Sequence, residues 1–267
     1  MKVLLIDAYN MIHRSRFGWS KGDHAITFTF FRSLRSEVER HNPDKVYIVS
    51  EGMPKHRLAE NPEYKGNRTK VLDEGFHRQK RDIFDLCIHL PLTFIRHEDY
   101  ECDDVIAHLA TEVHTSDDVV ICSSDSDFIQ LLCHENITLW HPVKKSFVER
   151  WPVDYLVWKS LRGDKTDNVP GIKGVGDKTA MKLASDENLL KEFLTDEKRK
   201  IFDSAMSQIK LTKISDKNFI EFKYTFNKEV IKKEFSNREF SSILNKGWKK
   251  WNSTWEKLND RQQTINN

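Results

Sequence analysis

Residues 100–107 read Tyr-Glu-Cys-Asp-Asp-Val-Ile-Ala, and residues 119–128 read Val-Val-Ile-Cys-Ser-Ser-Asp-Ser-Asp-Phe. Three carboxylates open a predicted helix in the first stretch, and two more follow a predicted buried strand in the second. These five are Glu101, Asp103, Asp104, Asp125 and Asp127. Clustered carboxylates repel one another unless a cation lies between them, and Mg²⁺ is a hard cation that prefers oxygen ligands. The two stretches therefore predict a carboxylate metal site of a kind that acts on phosphodiesters.

Short apolar runs elsewhere predict further strands. Each of the first four predicted strands is followed by one or more acidic residues. The strands are predicted at residues 3–6, 45–50, 92–95, 119–122 and 137–140, with a helix over 26–40 and a turn at Lys144-Lys145. Alternation of strand and helix indicates right-handed βαβ units and an α/β fold. The carboxyl ends of parallel strands meet at one edge, where ligands bind. We expect Asp7, Glu51, the Glu101 group and the Asp125 pair to meet there.

The composition favours a cytoplasmic protein that does not enter a membrane. The chain has 267 residues, a formal net charge of +2 and 31% charged residues, which fits one large domain or a domain with an appendage. No apolar run could span a bilayer, and the N-terminal run stops at Asp7 without a cleavage site, which favours a strand over a signal peptide. The four cysteines form no CxxC pair, so we expect a reducing compartment.

Basic residues are concentrated in the N-terminal part of the chain. They are Arg14, Arg16, Lys21, Arg32, Arg35, Lys65, Arg68, Lys70, Arg78, Lys80 and Arg81. An acidic site in basic surroundings suits an enzyme that holds a polyanion around bound metals, whereas the simpler interpretation is an ordinary solvated surface. Charge alone leaves both interpretations open.

Two segments depart from the strand-and-helix pattern. Residues 57–68 are polar, and residues 69–90 carry a basic helical pattern, which predicts a solvated excursion or an arch over the site. Residues 162–179 are rich in glycine, but Asp177 stands where a Walker A loop needs lysine, and the spacing misses GxGxxG. We expect a hairpin between two helices there, with backbone N–H groups that bind phosphate. The chain from Ala180 onward is predicted to be helical, with Trp248, Trp251 and Trp255 on one buried face.

These motifs together resemble the structure-specific 5′-nuclease family, which includes flap endonucleases, the 5′-nuclease domain of bacterial DNA polymerase I and phage 5′-exonucleases. The family has a first-strand aspartate, an E-A-D-D helix start, a (T/S)-x-D-x-D strand end, a Y-K-x-x-R segment and a glycine-rich G-D-x-x-D-N hairpin. They stand here as Asp7, residues 101–104, residues 124–127, residues 64–68 and residues 163–176. The chain is especially similar to the phage enzymes called ribonuclease H, which remove RNA primers.

The resemblance implies a PIN-like parallel sheet flanked by helices in residues 1–160, with an arch at about 57–90. A helix–three-turn–helix DNA-binding region would occupy residues 161–245, and a C-terminal tail residues 246–267. The implied activity is a metal-dependent 5′–3′ exonuclease and flap endonuclease that hydrolyses DNA, and RNA primers, in phage replication. The implied partners are branched or 5′-ended duplex DNA, RNA–DNA hybrids, and a phage single-strand DNA-binding protein or replisome. The protein would be a monomer in the host cytoplasm.

The same resemblance assigns roles to residues. Two Mg²⁺ or Mn²⁺ ions would be held, directly or through water, by Asp7, Glu51, Glu101, Asp103, Asp104, Asp125, Asp127, Asp164 and Asp167. Lys65 and Arg68 would meet the scissile phosphate, so that catalysis rests on them and on Asp7, Asp103 and Asp125, and Tyr64 would stack on a base. DNA binding, with a K⁺ ion held by backbone carbonyls, would fall to Gly171, Gly174, Gly176, Lys178 and Thr179. Glu51 stands where the family has aspartate, and Cys102 where it has alanine.

Three other functions compete with this interpretation. A magnesium-dependent phosphatase would need a second aspartate two residues after Asp7, where Tyr9 stands. A PIN-type ribonuclease that cuts single-stranded RNA shares the acids but needs no glycine-rich hairpin. In a noncatalytic DNA-binding protein the acids would only cap helices, and acids at four successive strand ends argue against that.

Overall fold

A computed structural model describes residues 1–67 and 73–266 of the chain. The strands are β1 Lys2–Asp7, β2 Lys45–Val49, β3 Thr93–His97, β4 Asp118–Cys122, β5 Ile137–His141, β6 Ser146–Phe147, β7 Gly163–Asp164, β8 Val169–Pro170 and β9 Phe219–Phe222. The helices are α1 Ala8–Ser15, α2 Ala25–His41, α3 Lys55–Glu60, α4 Glu74–Cys87, α5 Cys102–His108, α6 Tyr155–Arg162, α7 Asp177–Ala184, α8 Glu187–Phe193, α9 Asp196–Ile209, α10 Lys228–Asn237, α11 Ser241–Leu244 and α12 Trp248–Asn266. A π-helical turn spans Leu109–Val113 and a 3₁₀ helix spans Ser126–Cys133.

Seven of the described strands form one mixed sheet in the order β6-β5-β4-β1-β2-β3-β9. The five central strands are parallel, and β6 and β9 are antiparallel edges. Because parallel strands need crossover connections, helices cover both faces of the sheet. The predicted α/β parallel sheet is confirmed, including the turn that leads from β5 into β6.

Side chains of β1 alternate between two hydrophobic cores, as the period of two in a strand requires. Leu4 and Ile6 lie in one core with the aromatic residues of α2 and the C-terminal helices. Val3 and Leu5 lie in the other core with α5 and the 3₁₀ helix. Every residue of β1 after Lys2 is buried, so the strand ends, and the acid that follows each of them, are fixed by packing on both sides.

Helix α1 and strand β9 were not predicted from the sequence. Helix α1 begins directly after β1, where the Asp7 carboxylate caps it by accepting a hydrogen bond from the Asn10 backbone N–H at 2.9 Å. The expectation of an entirely helical chain after Ala180 was wrong at β9, which pairs with β3 in the register Ile95↔Glu221. Residues 219–222 are too few to show a period, and the open edge of β3 determines their conformation.

The hairpin between β7 and β8 follows α6 and leads to α7. A separate core joins α6 to α9 through residues such as Trp158, Leu183 and Phe202. The predicted pair of helices with a glycine-rich connection therefore matches α6 and α7. Its assignment as a helix–three-turn–helix module stays a prediction.

The segment that was expected to be a C-terminal tail is mostly helix α12. Trp251, Trp255 and Leu258 are buried in the same core as Phe30 and Phe235, so the predicted burial of the tryptophan face is confirmed for Trp251 and Trp255. Helices α10 to α12 thus belong to the core on the α2 side of the main sheet, where α12 packs against α2, rather than to the core of helices α6–α9. Among the described residues, no helix combines the length and the apolar character needed to cross a membrane.

Removal of one buried tryptophan ring tests whether α12 is part of the core. Trp255 has no exposed surface, so Trp255→Ala should lower the free energy of unfolding by about 3–5 kcal/mol through lost burial and the cavity left behind. Trp19 is fully exposed, and Trp19→Ala is the matched control, expected to stay within about 0.5 kcal/mol of the parent. Urea denaturation measures both. Equal stabilities of the two variants would show that α12 does not contribute to the core.

Candidate active site

Four carboxylates gather at the carboxyl edge of the sheet, and we call them the strand-end cluster: Asp7, Glu51, Asp103 and Asp125. Asp7 is the last residue of β1, and Glu51 follows β2 by two residues. Asp103 lies in the first turn of α5, after β3, and Asp125 follows β4 and caps the 3₁₀ helix. The acids meet because the parallel order of the strands places their carboxyl ends together. This arrangement agrees with the prediction that they lie at one edge of the sheet.

Asp7 is held by three hydrogen-bond donors from three parts of the chain. Besides the Asn10 N–H, the Ser123 hydroxyl donates to Asp7 Oδ2 at 2.8 Å, and the Cys102 thiol lies 3.7 Å from Oδ1. The Cys102 thiol also lies 3.3 Å from the Val49 carbonyl oxygen. Burial raises the pKa of Asp7 to about 6, and the charge of Asp125 adds to the rise.

Glu51 and Asp103 have raised pKa values for the same reasons. Burial, followed by the charges of Asp7 and Glu101, raises the pKa of Glu51 to about 7. Burial and the charges of its neighbours raise the pKa of Asp103 well above its usual range, although Lys65 opposes the shift. Carboxylates held close together in a partly desolvated site are stabilised by protonation or by a bound cation. The cluster therefore fits a divalent cation, which prefers carboxylate oxygens.

A second group, here called the Lys159 cluster, consists of Asp127, Asp164 and Asp167 together with Lys159, whose ammonium contacts the first two aspartates. One ligand oxygen from each of the three aspartates lies within 4.8 Å of the others. The Lys159 Nζ donates to Asp127, and to Asp164 Oδ2 at 2.7 Å. The three acids come from the 3₁₀ helix, β7 and the loop before β8, so this hairpin contributes directly to the site.

Lys159 opposes the effect of burial on the pKa of two acids in its cluster, with a different outcome at each. Burial raises the pKa of Asp127 to about 6 even though Lys159 opposes the shift. Burial also acts to raise the pKa of Asp164, but the hydrogen bond and charge of Lys159 outweigh it and lower the pKa. The sequence analysis missed Lys159. Its only sequence signal is its position on the helix that precedes Gly163-Asp164.

Glu101 lies between the two clusters and accepts hydrogen bonds from the base of the predicted arch. The Lys65 ammonium contacts Glu101 Oε1 at 2.5 Å and Asp167 Oδ2 at 3.7 Å. The Tyr64 hydroxyl donates to Glu101 Oε2 at 3.0 Å. Lys65 therefore lies in the site as predicted. Its other predicted partner in this motif, Arg68, lies outside the described residues.

Tyr64 has a different environment from the one expected. Its ring is buried with Val169, Ala205 and Ile209, and its hydroxyl is bonded within the site. A base can stack only on an exposed ring face, so the buried ring argues against the expected stacking, which stays a prediction. The residue instead joins the arch base to the hairpin.

Asp104 also differs from its expected role. Its two oxygens accept hydrogen bonds from Arg57, at 2.5 Å to Oδ2 and 2.8 Å to Oδ1, and the Thr212 N–H donates to Oδ1 at 2.7 Å. The side chain is completely buried. Since both oxygens are occupied, the geometry argues against Asp104 as a direct metal ligand. Arg57 was missed, because nothing in the local sequence distinguishes it from a solvated arginine.

The predicted DNA-binding residues of the hairpin lie in the loop after β8 and in the first turn of α7. Gly171 packs so closely on Arg162 that a Cβ there would lie 2.0 Å from the Arg162 carbonyl oxygen, and Gly174 has φ +83°, which favours glycine. Gly176 precedes α7, whose first turn carries Lys178 and Thr179, both exposed. Gly171 and Gly174 therefore have backbone reasons for being glycine, and the exposed first turn of α7 is accessible to a ligand.

The chain is similar in sequence to known 5′–3′ exonucleases and to bacterial DNA polymerase I. Residues 2–156 match the family model of the 5′–3′ exonuclease N-terminal resolvase-like domain. A 5′–3′ exonuclease from Mycoplasmopsis pulmonis is 30% identical over 256 residues, which is 86% of this chain and 82% of that protein. DNA polymerase I of Treponema pallidum is 34% identical over 200 residues, or 67% of this chain and 20% of that protein. The chain thus spans only a fifth of that polymerase.

Solved structures share the fold. A bacteriophage T5 flap endonuclease, in complex with DNA and metal ions, aligns with a TM-score of 0.63 at 17% identity, covering 98% of this chain and 100% of that one. Flap endonuclease-1 from Methanococcus jannaschii aligns with a TM-score of 0.64 at 14% identity, covering 99% and 93%. These alignments confirm the predicted PIN-like fold of flap endonucleases. The family model and the Mycoplasmopsis relative confirm the expected family, and this chain belongs to the 5′–3′ exonuclease family.

Proposed function

We propose that this protein is a divalent-metal-dependent, structure-specific 5′ nuclease that acts as a 5′–3′ exonuclease and flap endonuclease. The observation that carries the proposal is the strand-end cluster, in which four acids from four successive strands meet with too little countercharge. Membership of the 5′–3′ exonuclease family supports the same reaction. Phosphodiester hydrolysis of this kind needs no protein nucleophile.

The strand-end cluster and the Lys159 cluster would supply sites for two Mg²⁺ or Mn²⁺ ions. Asp7, Glu51, Asp103 and Asp125, with Glu101 beside them, would hold one ion, and Asp127, Asp164 and Asp167 the other. When bound, such ions activate water and stabilise the leaving oxygen in phosphodiester hydrolysis. Asp104 is left out of the direct ligands, because Arg57 and Thr212 occupy its oxygens. The raised pKa values of Asp7, Glu51 and Asp103 support a cation as the missing countercharge.

Basic side chains of the chain would manage the charge of the substrate. Lys65 is positioned between Glu101 and Asp167, from where its ammonium can turn to a phosphate and offset the charge that builds there. Arg68 follows it in the same motif and is proposed for the same task. Lys159 lies where an incoming cation would compete with it for Asp127 and Asp164.

The substrate would be branched or 5′-ended duplex DNA, and RNA–DNA hybrids such as primers. Gly171, Gly174 and Gly176, with Lys178 and Thr179, would contact one DNA strand, with a K⁺ ion on the hairpin carbonyls. The T5 relative was crystallised with DNA and metal ions, which supports the substrate class. We propose a monomer in phage DNA replication, working beside a phage single-strand DNA-binding protein or replisome. Free cysteines at positions 87, 102, 122 and 133 fit the cytoplasm.

Removal of one charge from the strand-end cluster tests the proposal. Asn caps helices as well as Asp does, so Asp125→Asn keeps the hydrogen bond to the Asp127 N–H at 2.9 Å and removes only the charge. We expect cleavage of an end-labelled 5′-flap duplex in Mg²⁺ to fall by several orders of magnitude, and binding of the duplex in EDTA to be unchanged. Asp154→Asn is the matched control, because Asp154 caps α6 on the surface.

The products decide between the proposed reaction and its rivals. Cutting near the flap junction in Mg²⁺, abolished by EDTA and by Asp125→Asn, supports the 5′ nuclease, and product lengths separate exonuclease from endonuclease. An intact duplex that the parent protein still binds tightly would indicate a noncatalytic DNA-binding protein. Cleavage of single-stranded RNA alone would indicate the ribonuclease.

Protons and metal should compete for the strand-end cluster. A carboxyl group whose pKa is higher in the folded state than in the unfolded state stabilises the fold when it is protonated. Its contribution to stability therefore falls as the pH rises from about 4 to 7. Mg²⁺ needs the deprotonated form. Given pKa values of about 6 for Asp7 and about 7 for Glu51, the Mg²⁺ concentration for half-maximal thermal stabilisation should be at least ~10-fold higher at pH 6 than at pH 8.

Differential scanning fluorimetry at both pH values measures this shift in the absence of DNA. The double variant Asp7→Asn, Glu51→Gln should lose most of the pH dependence, together with much of the stabilisation by Mg²⁺. A half-maximal Mg²⁺ concentration that is the same at pH 6 and pH 8 in the parent protein would contradict metal binding at this cluster.

A further inference from the structure

Arg57 is a buried arginine at the junction of α3, α5 and the end of α9. It is 2% exposed, and all five of its N–H groups find acceptors. Nη1 donates to Glu101 Oε2 at 2.9 Å and to Asp104 Oδ2, Nη2 donates to Asp104 Oδ1 and to the Lys210 carbonyl at 3.1 Å, and Nε donates to the Gln208 carbonyl at 2.8 Å. A guanidinium offers five donors in a fixed plane, so these contacts determine its orientation.

Asp104 anchors that guanidinium. It accepts the bidentate pair from Arg57, which is the geometry that gives arginine–carboxylate contacts their specificity. The Thr212 N–H supplies a third hydrogen bond to the same carboxylate. Asp104 therefore has a structural partner for each oxygen, and its charge is balanced inside the protein.

Glu101 depends on side chains from other elements for its orientation. It stands at the N-cap position of α5 but makes no capping hydrogen bond. Its Oε2 accepts from Arg57 and Tyr64, and its Oε1 from Lys65. Lys65 is partly exposed and is the group proposed to turn to substrate, whereas Arg57 is fixed by Asp104 and two backbone carbonyls.

We propose that Arg57 is a positioning residue that holds Glu101 at the metal site, and that Asp104 anchors Arg57 rather than binding metal. This inference rests on the proposed function, since it concerns a ligand of the same centre. It gives the third acid of the Glu101-Cys102-Asp103-Asp104 motif a different task from the first two. Side chains that orient a metal ligand typically contribute 10- to 100-fold to metal affinity or activity.

Direct Mn²⁺ binding without DNA tests the inference, measured by electron paramagnetic resonance of the free ion. Arg57→Gln alone leaves the buried Asp104 without countercharge and can unfold the protein. The double variant Arg57→Gln, Asp104→Asn removes both charges and keeps a neutral pair of similar size. We expect roughly 10-fold weaker Mn²⁺ binding and a matching rise in the Mn²⁺ needed for cleavage. Flap-duplex affinity in EDTA should stay unchanged.

Two further variants separate positioning from a structural role. Arg57→Lys keeps the charge but cannot reproduce the planar fork, so Mn²⁺ affinity should remain reduced although the folded fraction recovers. Arg261→Gln is the matched control, since Arg261 donates to the Pro43 carbonyl at 2.9 Å on a remote part of the fold. It should bind Mn²⁺ as the parent does. Thermal unfolding of every variant confirms that binding is compared between folded proteins.

The Glu101→Gln background distinguishes the two roles of Asp104. If Arg57 and Asp104 act through Glu101, adding the double substitution to Glu101→Gln causes no further loss of Mn²⁺ affinity. A further loss of tenfold or more would show that Asp104 is a direct ligand and would overturn the inference. Unchanged Mn²⁺ binding in the folded double variant would overturn it as well. Failure of the proposed function has a separate signature, since the parent protein would then bind Mn²⁺ without cutting the flap duplex.

Discussion

The structure depends on repulsion among carboxylates that the sheet brings to one edge. Packing on both faces fixes β1 and its neighbours, and the parallel order leaves Asp7, Glu51, Asp103 and Asp125 no alternative to meeting. Each carboxylate loses hydration and gains like-charged neighbours, which is why the pKa values of Asp7, Glu51 and Asp103 rise. Repulsion among these carboxylates therefore destabilises the fold at this edge, and a bound cation would relieve that repulsion.

Three buried or half-buried cations offset part of that cost, and they differ in how firmly they are held. Arg57 is fixed by five hydrogen bonds, Lys159 bridges Asp127 and Asp164, and Lys65 contacts Glu101 from a partly exposed position. The cations of the site thus range from Arg57, which is buried and fixed in an ion pair, to Lys65, which is partly exposed. Acids with similar sequence signals, such as Glu101 and Asp104, consequently have different partners.

The sequence was sufficient for the architecture because strand burial and acids at strand ends are local signals. Asp7, Glu51 and the paired motifs could be assigned to one edge from the parallel order alone. Lys159, Arg57 and the buried state of Tyr64 could not be predicted, because each depends on contacts between segments more than 30 residues apart in the chain. Strand β9 was not predicted for a related reason, since a four-residue strand takes its conformation from the sheet edge that it joins. Tertiary contacts thus determine what short local patterns leave open.

Strand β9 has a consequence for how the molecule is made. It closes the β3 edge, and α12 is buried in the core on one face of the same sheet, so the edge and that core both depend on segments that follow the acid-bearing strands in the chain. The parallel strands that bear the acids are complete long before those segments are synthesised. Contacts between distant segments are slow to form, and domains fold as units during synthesis from the N-terminus. On the ribosome, the carboxylate edge would therefore exist as an unfinished sheet with an open strand until β9 and α12 have been synthesised, which couples completion of the sheet to segments that lie far downstream of the acids.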